Sequence, residues 1–169
     1  MSSEGSKVQT LGVSSDEFRR ACGRFATGVA VASAVDDKGT AHGLTVSSFT
    51  SVSLHPPLVL ICIGHDVTVI EVFRRASHFG INFLGEQDHD VSQRFATKGL
   101  DKFDGVTWGL GHTGVPVIDC ALGVMECETH QRISSGDHDI VVGRVVATRV
   151  EEGSPLIYYA SRYRRLALD

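Results

Sequence analysis

Short apolar segments of strand length, separated by turn residues, most constrain how this chain can fold. They occupy 28–35, 42–54, 58–63, 79–84, 121–133 and 140–151. Only the stretches near 15–25, 68–75 and 87–96 carry apolar residues at helical spacing. Because closing a sheet removes exposed strand edges, we expect one mainly β domain. It should form a closed or nearly closed small barrel with a few short peripheral helices.

The length of 169 residues predicts a single domain at 14–169, preceded by a disordered polar leader at 1–13. It leaves no room for separate substrate and nucleotide domains. The formal net charge of −4 argues against a nucleic-acid-binding surface. The longest strong apolar run, at 58–63, is too short to span a membrane, and the first residues lack a signal-peptide pattern. We therefore expect a cytoplasmic protein.

Two patterns that often mark ligand sites are discounted. Residues 109–114 match G-x-G-x-x-G, but a Val-Pro-Val segment follows them, whereas a dinucleotide fold needs a helix there. We interpret the motif as a glycine-rich loop. The histidines and cysteines form no H-x-x-x-H or C-x-x-C pair, so no metal site is predicted. Three cysteines in apolar segments are expected to be buried thiols: Cys62, Cys120 and Cys127.

The second strand segment is rich in hydroxyl groups, with six Ser or Thr residues between 45 and 53. Hydroxyls and backbone N–H groups can hold a phosphate without Arg or Lys. A solvent-facing Thr/Ser strand remains the alternative. Strand alternation predicts two faces, the first with Leu44, Val46 and Ser48, the second with Thr45, Ser47 and Phe49.

Three further residues stand out for their positions. Asn82 lies inside an apolar strand, where a buried amide must be satisfied by the backbone or by a ligand. His138 follows Gly136 between two long strands, where a tight turn would need glycine in any case. Trp108 lies in a glycine-rich stretch; we expect it in the core, with a pocket wall as the alternative.

Six stretches, in this order along the chain, resemble the flavin reductase family, the short-chain reductases that supply reduced flavin to two-component monooxygenases. They are RFATGV at 24–29, HGLTVSSF at 42–49, PPLVL at 56–60, FGIN at 79–82, RFA at 94–96 and GDH at 136–138. The resemblance covers roughly residues 16 to 165. It implies an FMN-binding split β-barrel with Greek-key-like strand order, usually a homodimer, that binds FAD or FMN and uses NADH or NADPH.

The resemblance also implies the site. His138 would be the catalytic residue, placing the nicotinamide over the flavin. Relatives often carry small hydroxyl residues after the 58–63 strand, but His65, Asp66 and Val67 stand here, so only Thr68 keeps a hydroxyl. The implied flavin-binding residues are Thr27, Gly43, Leu44, Thr45, Val46, Ser47, Ser48, Cys62, Ile63, Thr68, Asn82, Phe95, Lys98, Phe103 and His138.

The implied reaction is hydride transfer from nicotinamide C4 to flavin N5, with the reduced flavin passing to a partner monooxygenase. The flavin carries the chemistry and the protein supplies placement, so the reaction needs no catalytic triad or metal. Three alternatives stay open: a non-catalytic flavin-binding electron-transfer protein on the same barrel, a pyridoxamine-phosphate-oxidase-like enzyme, and a small β-barrel interaction module. The sequence does not choose FAD over FMN, or NADH over NADPH.

Overall fold

The computed structural model describes residues 12–167. The predicted disordered leader therefore lies outside the described residues except for 12 and 13, which have no helix or strand. The helices are α1 (Ser15–Cys22), α2 (Ile70–Arg75) and α3 (His89–Ala96). The strands are β1 (Thr27–Gly28), β2 (Ala30–Val35), β3 (Ala41–Val46), β4 (Thr50–Leu54), β5 (Pro57–Gly64), β6 (His78–Phe83), β7 (Trp108–Leu110), β8 (Pro116–Ile118), β9 (Gly123–Ser135), β10 (His138–Val150), β11 (Ile157–Tyr159) and β12 (Arg162–Arg164).

Helix α1 begins with a capping box. The Ser14 hydroxyl accepts from the Glu17 backbone N–H at 3.2 Å, and the Glu17 carboxylate accepts from the Ser14 N–H at 3.0 Å. The helix ends at Cys22, three residues earlier than predicted, and Gly23 caps it. None of its residues is buried, and Phe18 is 63% exposed. The apolar face predicted from spacing therefore has no partner within the described chain.

The main sheet has seven antiparallel strands in the order β3-β2-β6-β9-β10-β5-β4. Strands β3 and β4 lie at opposite edges, although only three residues connect them. In a flat sheet these edges would be about 29 Å apart, whereas this linker reaches at most about 14 Å. The sheet must therefore curl until its edges approach. No ladder joins β3 to β4 in the described residues, so the barrel is not fully closed. The predicted mainly β, split-barrel-like fold is confirmed.

The predicted single strand at 42–54 is wrong, because residues 47–49 leave the sheet between β3 and β4. Ser48 accordingly does not continue the face that carries Leu44 and Val46. Its hydroxyl instead accepts from the Cys62 N–H at 2.9 Å and donates to the Cys62 carbonyl at 3.1 Å. This serine fastens the linker to β5 and holds the two sheet edges near each other.

Strand β5 alternates between buried and half-buried positions. Val59, Ile61 and Ile63 are buried, whereas Leu58, Leu60 and Cys62 are only half-buried. The continuous apolar run would suit a strand covered on both faces, but the alternation shows that only one face is fully buried. Of the three cysteines predicted to be buried, only Cys127 is; Cys62 is half-buried and Cys120 is exposed.

The G-x-G-x-x-G segment forms the end of β7 and the turn into β8, so no helix opens within it. The turn wraps a buried carboxylate. Glu126 accepts from the backbone N–H groups of His112 and Thr113 at 2.9 and 2.6 Å. A Cβ at Gly111 would lie 2.5 Å from the Glu126 carboxylate, so glycine is needed there. The interpretation as a loop is confirmed.

Two clusters of apolar side chains form the core. One lies inside the curled sheet under α2, where Phe73 and Ile70 are buried. The other lies between the sheet, α3 and β8, and includes Phe95. The prediction that Trp108 belongs to the core is wrong: it is 37% exposed and packs at the margin of the second cluster. Among the described residues, no helix has the length and apolarity needed to cross a membrane.

Candidate functional site

A cavity of about 230 Å³ opens beside the start of β2 and the end of β3. Its walls combine hydroxyls, backbone and aromatic rings, with Phe49 set edge-on to Phe83 at 4.8 Å between ring centroids. We call it the Thr27 pocket, since Thr27 lies on the short strand that borders it. Its lining residues are Phe25, Ala26, Thr27, Gly28, Val29, Ala30, Val46, Ser47, Phe49 and Phe83.

The hydroxyls predicted to hold a flavin have different environments. Thr45 donates to the Ser92 carbonyl of α3 at 2.6 Å, and Ser48 is occupied by Cys62. Ser47 is exposed, lines the pocket, and makes no side-chain hydrogen bond within residues 12–167. Of these three hydroxyls, Ser47 is therefore the one available to a ligand without breaking an internal contact.

A second group of polar residues lies where β5 ends against the β9–β10 hairpin. We call residues 64–66 and 137–139 the hairpin corner. Gly64 pairs with His138 in register, and the His65 N–H donates to the Asp137 carbonyl at 2.9 Å. A Cβ at Gly64 would lie 2.9 Å from Asp66 and 3.5 Å from His138 Nε2, so glycine permits this close packing. Cys62, two residues earlier, connects the corner to the Thr27 pocket through Ser48.

His138 is half-exposed at this corner and is oriented by its neighbour. Its Nδ1 lies 2.6 Å from the Asp137 carboxylate, which leaves Nε2 free on the side of Gly64. The contact with His138 lowers the pKa of Asp137, so this carboxylate remains an acceptor. Gly136 takes the left-handed conformation, with φ of 62°, that the hairpin turn requires. His138 therefore has a defined ring orientation and one nitrogen open to a ligand.

Behind His138, the corner contains an ion-pair network that the sequence interpretation missed. Asp139 is buried; one oxygen accepts from Arg74 Nε and the other contacts His65 Nε2, both at 2.7 Å. Arg74, and then His65, hold the pKa of Asp139 well below its usual range. Two features of the sequence could have pointed to this network: the aspartate that directly follows Gly-Asp-His at the start of a strand, and the histidine at 65 in place of a small hydroxyl residue.

Thr68 and Lys98 border the hairpin corner. Thr68 is exposed in the loop after β5. Lys98, beyond the end of α3, has its Nζ 3.4 Å from the Asp66 carbonyl and 3.6 Å from its carboxylate. Two segments about 30 residues apart in the chain are thus brought to one place.

Other predicted flavin-binding side chains are internal. Asn82 is fully buried: its amide donates to the Val31 carbonyl and to Ser33 Oγ, and its carbonyl accepts from the Ile118 N–H at 2.8 Å. Its side chain therefore supports the core and does not reach the pocket. Three more predicted side chains, Ile63, Phe95 and Phe103, are also buried in the two core clusters.

The predicted β3 residues contribute mainly packing. Gly43 lies against Phe95, and a Cβ there would come within 2.6 Å of that ring. Leu44 and Val46 are buried, although Val46 also borders the pocket. Burial raises the pKa of the Cys62 thiol, so it remains protonated at neutral pH. In the described part of the chain, no three His, Cys, Asp or Glu side chains are placed to hold a metal.

Comparison with known proteins identifies the family. The model of the flavin reductase like domain matches residues 22–167. The chain is 40% identical over 150 residues to the actinorhodin polyketide dimerase of Streptomyces coelicolor, covering 88% of this chain and 85% of that protein. It is 37% identical over 147 residues to the reductase component of 4-nitrophenol 4-monooxygenase/4-nitrocatechol 2-monooxygenase from Rhodococcus opacus, covering 87% and 78%.

A solved structure is also similar. The NADH:FAD oxidoreductase of Streptomyces globisporus, in complex with NAD and FAD fragments, superposes with a TM-score of 0.86 at 35% identity, covering 91% of this chain and 93% of that one. The chain therefore belongs to the flavin reductase-like family. The predicted relationship and the class of enzyme, a flavin reductase, are confirmed. The ligands of the similar oxidoreductase, NAD and FAD fragments, belong to the predicted classes of cofactor.

Proposed function

We propose that this protein catalyses the NAD(P)H-dependent reduction of FAD or FMN and supplies the reduced flavin to a separate monooxygenase, with residues 14–169 acting as one domain. The observation that carries the proposal is the link between the Thr27 pocket and the strand that leads to the hairpin corner. Ser47 lines the pocket, and its neighbour Ser48 is hydrogen-bonded to Cys62, two residues before Gly64. We infer that the pocket holds a ring and that the polar corner receives phosphate and nicotinamide.

The residues that line the pocket are of the types expected in a site that binds part of a flavin. Phe25, Phe49 and Phe83 supply apolar walls, while Thr27 and Ser47 supply hydroxyls. Its volume of about 230 Å³ is below the roughly 300–1,000 Å³ of a complete small-molecule site. A ring system fits this space better than an entire dinucleotide. We infer that the remainder of the nucleotide lies along the hairpin corner.

Each residue then has a definable task. Thr27 and Ser47 orient the ring edge, Thr68 and Lys98 approach the phosphate, and His138 places the nicotinamide through its free Nε2. A bound flavin supplies the hydride acceptor, N5, for the hydride from nicotinamide C4. Holding two reactants at near-attack distance accounts for much of the rate of such reactions, so the protein needs no base of its own.

A homodimer would complete this site. Phe25 lines the pocket but is 77% exposed, and Leu54 on the edge strand β4 is 81% exposed. Such large apolar side chains at an incomplete pocket and an open sheet edge fit burial by a second copy of the chain. Sedimentation equilibrium should give twice the chain mass, and a purely monomeric protein at micromolar concentration would contradict this part of the proposal.

The activity test mixes the purified protein with NADH or NADPH, with and without added FMN or FAD, and follows the nicotinamide absorbance. Flavin-dependent oxidation over many turnovers supports a reductase whose flavin exchanges. Flavin binding without turnover indicates the electron-transfer alternative. Absence of both would overturn the proposal.

The His138 role has its own test. His138→Ala should raise the NADH KM, lower kcat, or both, because nicotinamide placement is lost, while FMN binding is retained. His130→Ala is the matched control, since His130 is an exposed histidine on the neighbouring strand β9. Unchanged KM and kcat in His138→Ala would remove His138 from the mechanism.

A further inference from the structure

We propose that Asp139 is a positioning residue for His138, and that it acts by fixing the start of β10 against α2 and the loop after β5. This inference rests on the function proposed above, because it assumes that His138 places the nicotinamide. Adjacent strand residues point to opposite faces, and Asp139 is buried whereas His138 is half-exposed. The effect of Asp139 on the reaction therefore passes through its neighbour in the chain.

His65 is bonded to both residues that flank His138. Its backbone N–H donates to the Asp137 carbonyl at 2.9 Å, and its ring Nε2 lies 2.7 Å from the Asp139 carboxylate. The strand pairing places His138 itself opposite Gly64, the residue before His65. Three consecutive residues of the hairpin are thus tied to two consecutive residues at the end of β5, which leaves the His138 backbone little freedom to shift.

Arg74 connects the same carboxylate to α2. Its Nε donates to the second oxygen of Asp139 at 2.7 Å, and its Nη1 donates to Glu71, one turn earlier in the helix, at 2.8 Å. The helix is in turn anchored in the first core cluster through Ile70 and Phe73. Because charge-assisted hydrogen bonds are strong and add geometric specificity, the core sets the position of the hairpin corner.

A second contact joins α2 to the hairpin away from the corner. Arg132 on β9 donates from Nε to the Phe73 carbonyl at 3.0 Å and also donates to the Ala76 carbonyl. These contacts would keep the hairpin docked on α2 if those of Asp139 were lost. The loss would then be felt mainly where β10 begins, at His138.

The chemistry of a buried carboxylate also favours a role in positioning over one in stability. Replacing a buried ion pair by well-packed apolar residues is often neutral or stabilising, and the next buried positions of β10, Val141 and Val142, are apolar. Stability alone therefore does not require an aspartate at 139. The directions in which it holds Arg74 and His65 give it a function that an apolar side chain lacks.

The experiment measures NADH oxidation and FMN binding by the full chain carrying Asp139→Asn, which keeps the size of the side chain and removes its charge. We expect kcat/KM for NADH to fall by about tenfold, less than the roughly 100-fold that a 1 Å misplacement can cost. The FMN dissociation constant should stay within about twofold of wild type, as for an ordinary surface substitution. A parallel weakening of FMN binding would show general disruption of the site and overturn the positioning role.

A double-mutant cycle with His138→Ala separates positioning from other effects. If Asp139 acts through His138, adding Asp139→Asn to His138→Ala should lower kcat/KM no further, since coupled residues are non-additive. Additive losses would overturn the proposal, as would a wild-type kcat/KM in Asp139→Asn or in His138→Ala. Should Asp139→Asn fail to fold, Arg74→Gln takes its place in the cycle with the same expected result, because the Arg74 side chain is 38% exposed.

Arg75→Gln is the matched control. Arg75 is the next residue of α2, and its Nη1 lies 3.7 Å from the Asp37 carboxylate at an exposed site outside the hairpin corner. It should keep the wild-type kcat/KM, and an equal loss in this variant would assign the effect to the charge of α2 in general and overturn the proposal. A wild-type protein that does not oxidise NADH overturns the proposed function and this inference with it. An active wild type with unaffected Asp139 and Arg74 variants overturns this inference alone.

Discussion

Asn82→Ala tests whether this residue supports the core or lines the flavin. The substitution removes an amide that is fully buried and makes hydrogen bonds to Val31, Ser33 and Ile118. Each typical bond contributes about 0.5–1.5 kcal/mol, and a buried N–H left unpaired costs about 1–3 kcal/mol. Ile118 N–H is the donor that loses its acceptor here. We therefore expect the free energy of unfolding to fall by about 3 kcal/mol.

The assay is urea unfolding followed by tryptophan fluorescence, together with FMN titration of the folded protein. A loss of that size should lower the melting temperature by about 6–12 °C in a chain of this length. The FMN dissociation constant of the folded protein should stay within about twofold of wild type, which corresponds to the free-energy change of an ordinary surface substitution. Ser47→Ala is the paired control, because its hydroxyl is exposed at the pocket and has no internal partner among residues 12–167.

The control should show the opposite pattern: weaker FMN binding with unchanged stability. The reasoning is refuted if Asn82→Ala leaves the free energy of unfolding unchanged and weakens FMN binding instead. That result would return Asn82 to the flavin site implied by the family resemblance. Should Asn82→Ala be too unstable to purify at room temperature, the titration is done at 10 °C on the soluble fraction.

Gly143→Ala should destabilise the fold by about 1–3 kcal/mol, since a Cβ there would lie 2.5 Å from the Phe79 ring and 2.7 Å from Cys127; unaltered thermal unfolding would contradict this packing. Burial raises the pKa of Glu126, but hydrogen bonds from Thr113 and a neighbouring backbone amide outweigh it, so the pKa is lowered overall. A lowered folded-state pKa adds stability above the unfolded-state pKa, and that stability is lost as the pH falls through the folded value. Glu126→Gln should therefore be less stable than wild type near pH 7, with the difference shrinking toward pH 3 in urea unfolding; a constant difference would argue against this role.

Local sequence patterns determined most of the secondary structure and the family. Strand-length apolar segments and turn residues predicted the β-rich fold, because side-chain alternation and turn conformations are local properties. The G-x-G-x-x-G segment could likewise be rejected from the residues that follow it. The break at 47–49 could not be predicted, since Ser48 leaves the strand to bond Cys62, a partner 14 residues away.

For the candidate site, too, some residues could be predicted from the sequence and others only from the structure. The sequence alone pointed to His138 and to the hydroxyl-rich segment that contains Ser47, because such segments are visible without a fold. Only the tertiary structure separated Ser47, which is exposed at the pocket, from Thr45, whose hydroxyl is taken by α3. Only the structure showed that His65 is held by Asp139, because two residues 74 positions apart form no local sequence pattern. Residue types limit the available chemistry, but burial and long-range partners decide which groups can meet a ligand.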